Sequence, residues 1–298
     1  MTRRLLCGIP IAFAFSGCQD IAAFLPGLDG DLVILRSGLS VTDVSGTNIG
    51  MLRLQEGCYG APSVAPDGNC LAWLPQRGAQ LNWPRDSKLI LAVPGSPSTE
   101  LFLPQVVPSD ISIAPNGQLV AFAGSDRQTR KQRLIVWTPS AGDGPIDLSG
   151  LAQSLDSELE QLRLSSSGRQ LAVSTRTTVA VVNVESHNVV YKSPGRFASL
   201  SPDGSQLAFI VGSGLVIQRF KTGETRPVNI GWRTYGVGAW TPDSRFLLVA
   251  ARTGLGWNKS LLVLDTIRAT YAEVSKLGEG DFGSTAMWVR RALALQHL

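Results

Sequence analysis

The eleven residues Ser199-Leu-Ser-Pro-Asp-Gly-Ser-Gln-Leu-Ala-Phe209 contain the pattern from which the fold can be predicted. Proline restricts φ at the first corner of a turn, aspartate bonds to nearby backbone, and glycine adopts positive φ at little cost. The Leu-Ala-Phe run that follows is short, apolar and flanked by breakers, as in a buried strand. The stretch therefore predicts two short strands joined by a tight turn.

The same pattern recurs along the chain, with 36 to 51 residues between equivalent turn positions. The other matching segments are 63–73, 112–122, 163–173 and 239–249, with a poorer match at 22–35 and a truncated one near 286–295. In one repeat Ser165-Ser-Ser-Gly168 replaces the Pro-Asp-Gly turn. A repeat of this length indicates one supersecondary unit that recurs, because each copy buries its apolar faces against its neighbours.

Two more strand-like runs follow each hairpin. Examples are Gly214–Phe220 with Thr225–Ile230, separated by the polar turn Lys221–Glu224, and Ser260–Asp265 with Thr270–Val274. Four strands per repeat at this spacing predict an all-β fold, a β-propeller of four-stranded antiparallel blades. Residues 76–88 and 124–132 are expected to form longer loops, the second rich in charge.

The Ser-Pro-Asp-Gly-x-x-Leu-Ala-Phe element resembles the WD40-like repeat of TolB-type periplasmic propellers. It is also similar to the propeller domains of prolyl-oligopeptidase relatives. The resemblance covers residues 20–298 and implies a propeller. For function it implies a binding role in the cell envelope, although many unrelated proteins share this fold.

The number of blades follows from how the ring closes. From Pro26 to the matching position at Val289 the chain advances by six repeats and then ends within ten residues. We predict six blades, with a C-terminal strand near Ala286–Val289 returning beside the first blade to close a single domain over residues 18–298. Seven blades, the alternative, would need two more strands after Leu295.

The first twenty residues have the features of an export signal. Arg3 and Arg4 precede an apolar run from Leu5 to Phe15, which is too short to span a bilayer but fits a secretory signal peptide. Phe15-Ser16-Gly17-Cys18 then resembles a bacterial lipobox. The resemblance implies cleavage of the signal peptide 1–17 after Gly17 and lipidation of Cys18. An ordinary signal peptide or an N-terminal hydrophobic strand is the alternative interpretation.

A lipidated Cys18 would tether the folded body to a membrane, since two or more acyl chains give stable anchoring. Gln19 stands where enteric bacteria use Asp to retain lipoproteins in the inner membrane. In a Gram-negative host we therefore expect an outer-membrane lipoprotein that faces the periplasm.

The remaining cysteines leave two alternatives open. Cys7 is removed with the signal peptide, so Cys58 and Cys70 remain once Cys18 is lipidated. In an oxidising compartment an even number of cysteines indicates a disulfide. However, the extended segment 60–65 between them would separate the sulfurs unless the chain folds back, and two free, buried cysteines are the other interpretation.

Composition limits the classes of function. The 298 residues are 44% hydrophobic and 17% charged, which is typical of a globular chain. The net charge is +4 and falls to about +2 without residues 1–17, which hold two arginines and no acid. So small a positive charge disfavours nucleic-acid binding, because a nucleic-acid-binding protein must neutralise many phosphates. Only two histidines, His187 and His297, are present, which argues against a His-rich metal site or a Ser–His mechanism.

No combination of residues predicts catalysis, a metal or a cofactor. The turn aspartates Asp67, Asp203 and Asp243 are carboxylates, yet they occupy equivalent turns in which Asp is a structural choice. Asp29-Gly30-Asp31 is too short for a calcium loop, which spreads its ligands over about twelve residues. His187 lies in a predicted turn between outer strands, and His297 lies in the tail. Gly-x-Ser-x-Gly and phosphate-loop motifs are absent from the sequence.

Four aromatic residues and the inner strands bear on two classes of function. Trp83, Trp232, Tyr235 and Trp257 could line a propeller face, although such residues more often cap the core between blades. The predicted inner strands are small and apolar, with Arg163 as the exception. We therefore expect a non-enzymatic, monomeric scaffold for envelope proteins. The alternative is a small propeller enzyme, or a carbohydrate- or lactone-binding protein, acting at the central funnel.

Overall fold

A computed structural model of the chain describes residues 31–35, 39–42, 48–52, 63–65, 71–73, 86–93, 97–104, 106–140, 144–155, 158–252, 259–277 and 286–289. The predicted signal peptide, Cys18, Cys58, Cys70, Asp29, Gly30, Asp67, Trp83, Trp257 and His297 lie outside the described residues. The described part of the chain is almost entirely β-structure, arranged as four-stranded antiparallel sheets.

The first three sheets, each given from its inner to its outer strand, come from the ends and the first half of the chain. Sheet one contains β24 (Ala286–Val289), β1 (Asp31–Leu35), β2 (Leu39–Thr42) and β3 (Asn48–Leu52). Sheet two contains β4 (Ser63–Val64), β5 (Leu71–Trp73), β6 (Asp86–Ala92) and β7 (Thr99–Pro104). Sheet three contains β8 (Val106–Ile113), β9 (Val120–Asp126), β10 (Gln132–Trp137) and β11 (Ile146–Asp147).

The other three sheets follow in chain order. Sheet four contains β12 (Leu159–Leu164), β13 (Gln170–Thr175), β14 (Thr178–Asn183) and β15 (Val189–Pro194). Sheet five contains β16 (Arg196–Leu200), β17 (Gln206–Val211), β18 (Gly214–Arg219) and β19 (Thr225–Val228). Sheet six contains β20 (Arg233–Trp240), β21 (Phe246–Arg252), β22 (Lys259–Asp265) and β23 (Thr270–Leu277). A short helix, α1 (Ser149–Gln153), and a 3-10 turn (Pro115–Gly117) complete the described elements.

The sheets pack side by side as blades. Contacts run from β4 to β8, from β8 to β12, from β12 to β16, from β16 to β20 and from β20 to β24. The prediction of an all-β propeller is confirmed. The described residues contain six four-stranded sheets, the number expected for six blades.

The ends of the chain meet in sheet one. The C-terminal strand β24 pairs antiparallel with β1, and Asp31 lies opposite Val289. Because β24 occupies the inner position of this sheet and contacts β20, it joins the last blade to the first. The boundaries of the domain at 18 and 298 stay a prediction.

The core lies in layers between neighbouring blades. Each described apolar cluster draws on two consecutive sheets, as Leu171 and Val173 of sheet four do with Leu134 and Val136 of sheet three. Middle strands are covered on both faces, so their sequences are continuous apolar runs. Outer strands such as β15 are largely exposed. Burying each large apolar side chain contributes about 1.5–3 kcal/mol, which is what holds the blades together.

One loop expectation was wrong. Residues 124–126 belong to β9 and residue 132 begins β10, so the charged segment is a five-residue turn and not a long loop. The carboxylate of Asp126 accepts hydrogen bonds from the N–H groups of Gln128 and Thr129, at 3.0 and 2.7 Å. These bonds tighten the turn. Residues 86–88, expected in the other loop, begin strand β6.

Candidate functional site

The repeated turn has the same construction in sheets three to six, where it is described. In sheet five the N–H of Ser201 donates to the carbonyl of Gln206 at 2.8 Å, and the N–H of Gly204 donates to the carbonyl of Ser201 at 2.8 Å. Gly204 has φ of +72°, a conformation that explains why glycine follows aspartate here. Gly168 has φ of +69° in the Ser-Ser-Ser-Gly repeat, so that repeat forms the equivalent turn.

The turn aspartates bond within their own turns. The carboxylate of Asp203 accepts hydrogen bonds from the Ser201 hydroxyl at 2.6 Å and from the N–H of Ser205 at 3.0 Å. Partial burial opposes its ionisation, but the hydrogen bonds from Ser201 and Ser205 outweigh that effect and hold the pKa of Asp203 below its usual value. Asp243 accepts a bond from the N–H of Arg245 at 3.1 Å. These carboxylates stabilise turns.

The turns also connect blades. The Ser244 hydroxyl of sheet six accepts a hydrogen bond from the N–H of Asp203 in sheet five at 3.2 Å. The side-chain amide of Gln206 donates to the carbonyl of Ser244 at 3.2 Å. We call the end of the propeller that carries the turns 114–119, 165–170, 201–206 and 241–246 the turn face. The end that carries the loops 127–131, 176–177 and 212–213 is the opposite face.

The other candidates in the described region do not converge on one site. His187 lies in the exposed turn between β14 and β15, with φ of +59°. Trp232 packs against the core between sheets five and six and makes an edge contact with Tyr271, at 6.0 Å between ring centroids. Tyr235 is half-buried on β20. None of these residues forms part of a described cluster of catalytic groups.

Two side chains on β8 complete a seam between sheets three and four. The Asp110 carboxylate accepts a hydrogen bond from the N–H of Leu162 at 2.7 Å, and the Ser112 hydroxyl accepts one from the N–H of Leu164 at 2.9 Å. The two donors and the two acceptors are each separated by two residues, which is the spacing of side chains on one face of a strand. The side chains thus take the place of a backbone ladder between the inner strands β8 and β12.

An ion pair lies on this seam. Arg163 Nη1 is 3.3 Å from the Asp110 carboxylate and donates to the carbonyl of Leu162 at 2.6 Å. Both side chains are 17% exposed. Burial raises the pKa of Asp110 despite the opposing effects of Arg163 and the Leu162 N–H. Arg163, the exceptional inner-strand residue in the sequence, is therefore held by a partner on the next blade.

Gln161 reaches between blades that are not neighbours. Its side-chain amide on β12 donates to the carbonyl of Val237 on β20 at 3.2 Å, although sheet five lies between sheets four and six. The contact therefore joins the inner strands of two blades that are not adjacent. Gln161 is 3% exposed, and its Oε1 has no hydrogen-bond partner among the described residues.

Described arginines lie on both faces. At the opposite face, β16 begins at Arg196, β20 begins at Arg233 and β21 ends at Arg252. We call these three residues the arginine rim. On the turn face, Arg245 forms an ion pair with the buried Asp265 at 2.7 Å.

The sequence did not point to Asp110, Gln161, Arg196 or Arg233. The repeat pattern predicted inner strands only close to the turns, where the residues are small. In the structure β8, β16 and β20 extend further toward the opposite face. The sequence offered one signal for these residues, a polar residue two positions before the start of a repeat, such as Asp110 before Ser112. The described residues hold no group of three or more His, Cys, Asp or Glu that could bind a metal ion.

Solved structures with the same architecture can be compared with this geometry. TolB from Acinetobacter baumannii superposes with a TM-score of 0.63 at 15% identity, covering 88% of this chain and 67% of that one. The putative TolB from Agrobacterium tumefaciens gives 0.56 at 12% identity, covering 88% and 97%. The chain has a TolB-like β-propeller fold. At these identities the likeness concerns the fold alone.

Other structural matches are spread over different kinds of protein. A chain of the nidogen/laminin complex gives a TM-score of 0.56 at 10% identity, covering 87% of this chain and 96% of that one. The Pyrococcus horikoshii acylaminoacyl peptidase gives 0.53 at 12% identity, with 73% of this chain and only 39% of the peptidase covered. No family model and no curated protein matches the sequence. The described residues contain no helix long and apolar enough to cross a membrane.

Proposed function

We propose that this TolB-like propeller is a non-enzymatic interaction scaffold, anchored to the bacterial cell envelope by a lipid on Cys18. One observation supports the absence of catalysis more than any other. A carboxylate and a guanidinium within the described inner strands, Asp110 and Arg163, are bound to each other and to backbone across a blade seam. A catalytic carboxylate needs access to a substrate proton, and this one is engaged in holding two blades together.

The anchoring part of the proposal rests on the sequence. The basic start, the short apolar run and Phe15-Ser16-Gly17-Cys18 follow in the order of a lipoprotein signal. Residues 19–30 separate Cys18 from β1 in the sequence. In a Gram-negative host, Gln19 favours the outer membrane, with the propeller in the periplasm and an envelope protein as its partner.

The scaffold is tested by capture from the native envelope. Cells producing the full chain are cross-linked in place, and the protein is purified beside a Cys18→Ala control and analysed by mass spectrometry. We expect a stoichiometric envelope partner with the wild-type chain, and loss of membrane association and of that partner in the control. Absence of a partner from both samples, together with a co-purifying glycan, lactone or other small molecule, would contradict the scaffold and favour the alternative of a funnel-binding or catalytic propeller.

A further inference from the structure

We draw no further inference here: the strongest candidate, the partly exposed surface patch formed by Trp232 and Tyr271 where the outer parts of sheets five and six meet, continues the core between these blades, as the Tyr191–Phe220 pair does between sheets four and five, and nothing in the structure shows what covers it.

Discussion

Replacing Asp110 by alanine should open the seam between sheets three and four. The substitution leaves the Leu162 N–H without its 2.7 Å acceptor and leaves Arg163, which is 17% exposed, without its carboxylate. A buried donor without an acceptor costs about 1–3 kcal/mol, and breaking a buried ion pair costs about 3–5 kcal/mol. Because burial raises the pKa of Asp110, relief of that unfavourable burial offsets part of the loss. We expect a net loss of about 3 kcal/mol.

Asp110→Asn separates the role of the acceptor from the role of the charge. Asparagine keeps an oxygen for the Leu162 N–H and removes the charge that burial disfavours. We therefore expect it to cost about 1 kcal/mol, the difference between a hydrogen bond to a charged acceptor and one to a neutral acceptor. Glu185→Ala, in the exposed turn before β15, is the control and should change stability by less than about 0.5 kcal/mol.

The assay is thermal unfolding followed by circular dichroism at pH 7. A loss of 3 kcal/mol corresponds to a Tm about 6–12 °C lower for a domain of this size. If Asp110→Asn lowers the Tm as much as Asp110→Ala, the charge is what matters and the argument from a side-chain ladder is refuted. If Asp110→Ala has the same Tm as Glu185→Ala, the contacts of Asp110 do not stabilise the packing of sheets three and four.

Three further predictions concern the turns, an ion pair and the rim. Gly204→Ala and Gly223→Ala should cost about the same in urea unfolding, about 1–2 kcal/mol each, because both glycines have positive φ. The new Cβ at Gly204 would lie 2.3 Å from Gln170 Oε1, but that atom is the end of a flexible side chain that can rotate away. A clearly larger loss at Gly204 would show that Gln170 cannot move. Asp265→Asn should lower the free energy of unfolding at pH 7 by about 1–3 kcal/mol. Hydrogen bonds from Arg245 and from the backbone N–H groups of Arg268 and Ile267 outweigh burial and lower the pKa of Asp265, so the difference from wild type should shrink as pH falls below 3.8. A difference that is independent of pH down to acid unfolding would contradict this reasoning. Arg233→Gln should leave the free energy of unfolding unchanged or raise it by up to about 1 kcal/mol, because Arg233 lies opposite Arg252 on the neighbouring strand. A clear decrease in Tm would show that Arg233 stabilises the free protein.

The fold could be predicted from the sequence because its determinants are local. Proline, aspartate and glycine at fixed offsets produce the same turn wherever they occur, and Gly204 adopts the positive φ that the pattern requires. The apolar runs after each turn, such as Leu207-Ala-Phe-Ile210, are buried on both faces. Even Ser165-Ser-Ser-Gly168 forms the turn, because the Ser167 hydroxyl accepts from the N–H of Arg169 at 3.3 Å, as Asp203 accepts from the N–H of Ser205 in sheet five.

The arrangement at the centre could not be predicted because it depends on contacts between distant parts of the chain. Asp110 and Leu162 are 52 residues apart, and Gln161 and Val237 are 76 apart. No local pattern specifies which side chain faces the next blade when an inner strand extends beyond its repeat. The pairing of Arg233 with Arg252 depends on bulges in β20, which change the register.

The central claim is that the propeller is a scaffold for an envelope protein. The most direct test places a photo-crosslinking amino acid at exposed Val211, on the opposite face, or at exposed Arg169, on the turn face, and irradiates living cells. We expect a covalent adduct with one envelope protein from at least one of the two positions. The absence of an envelope-protein adduct from both positions would contradict the claim.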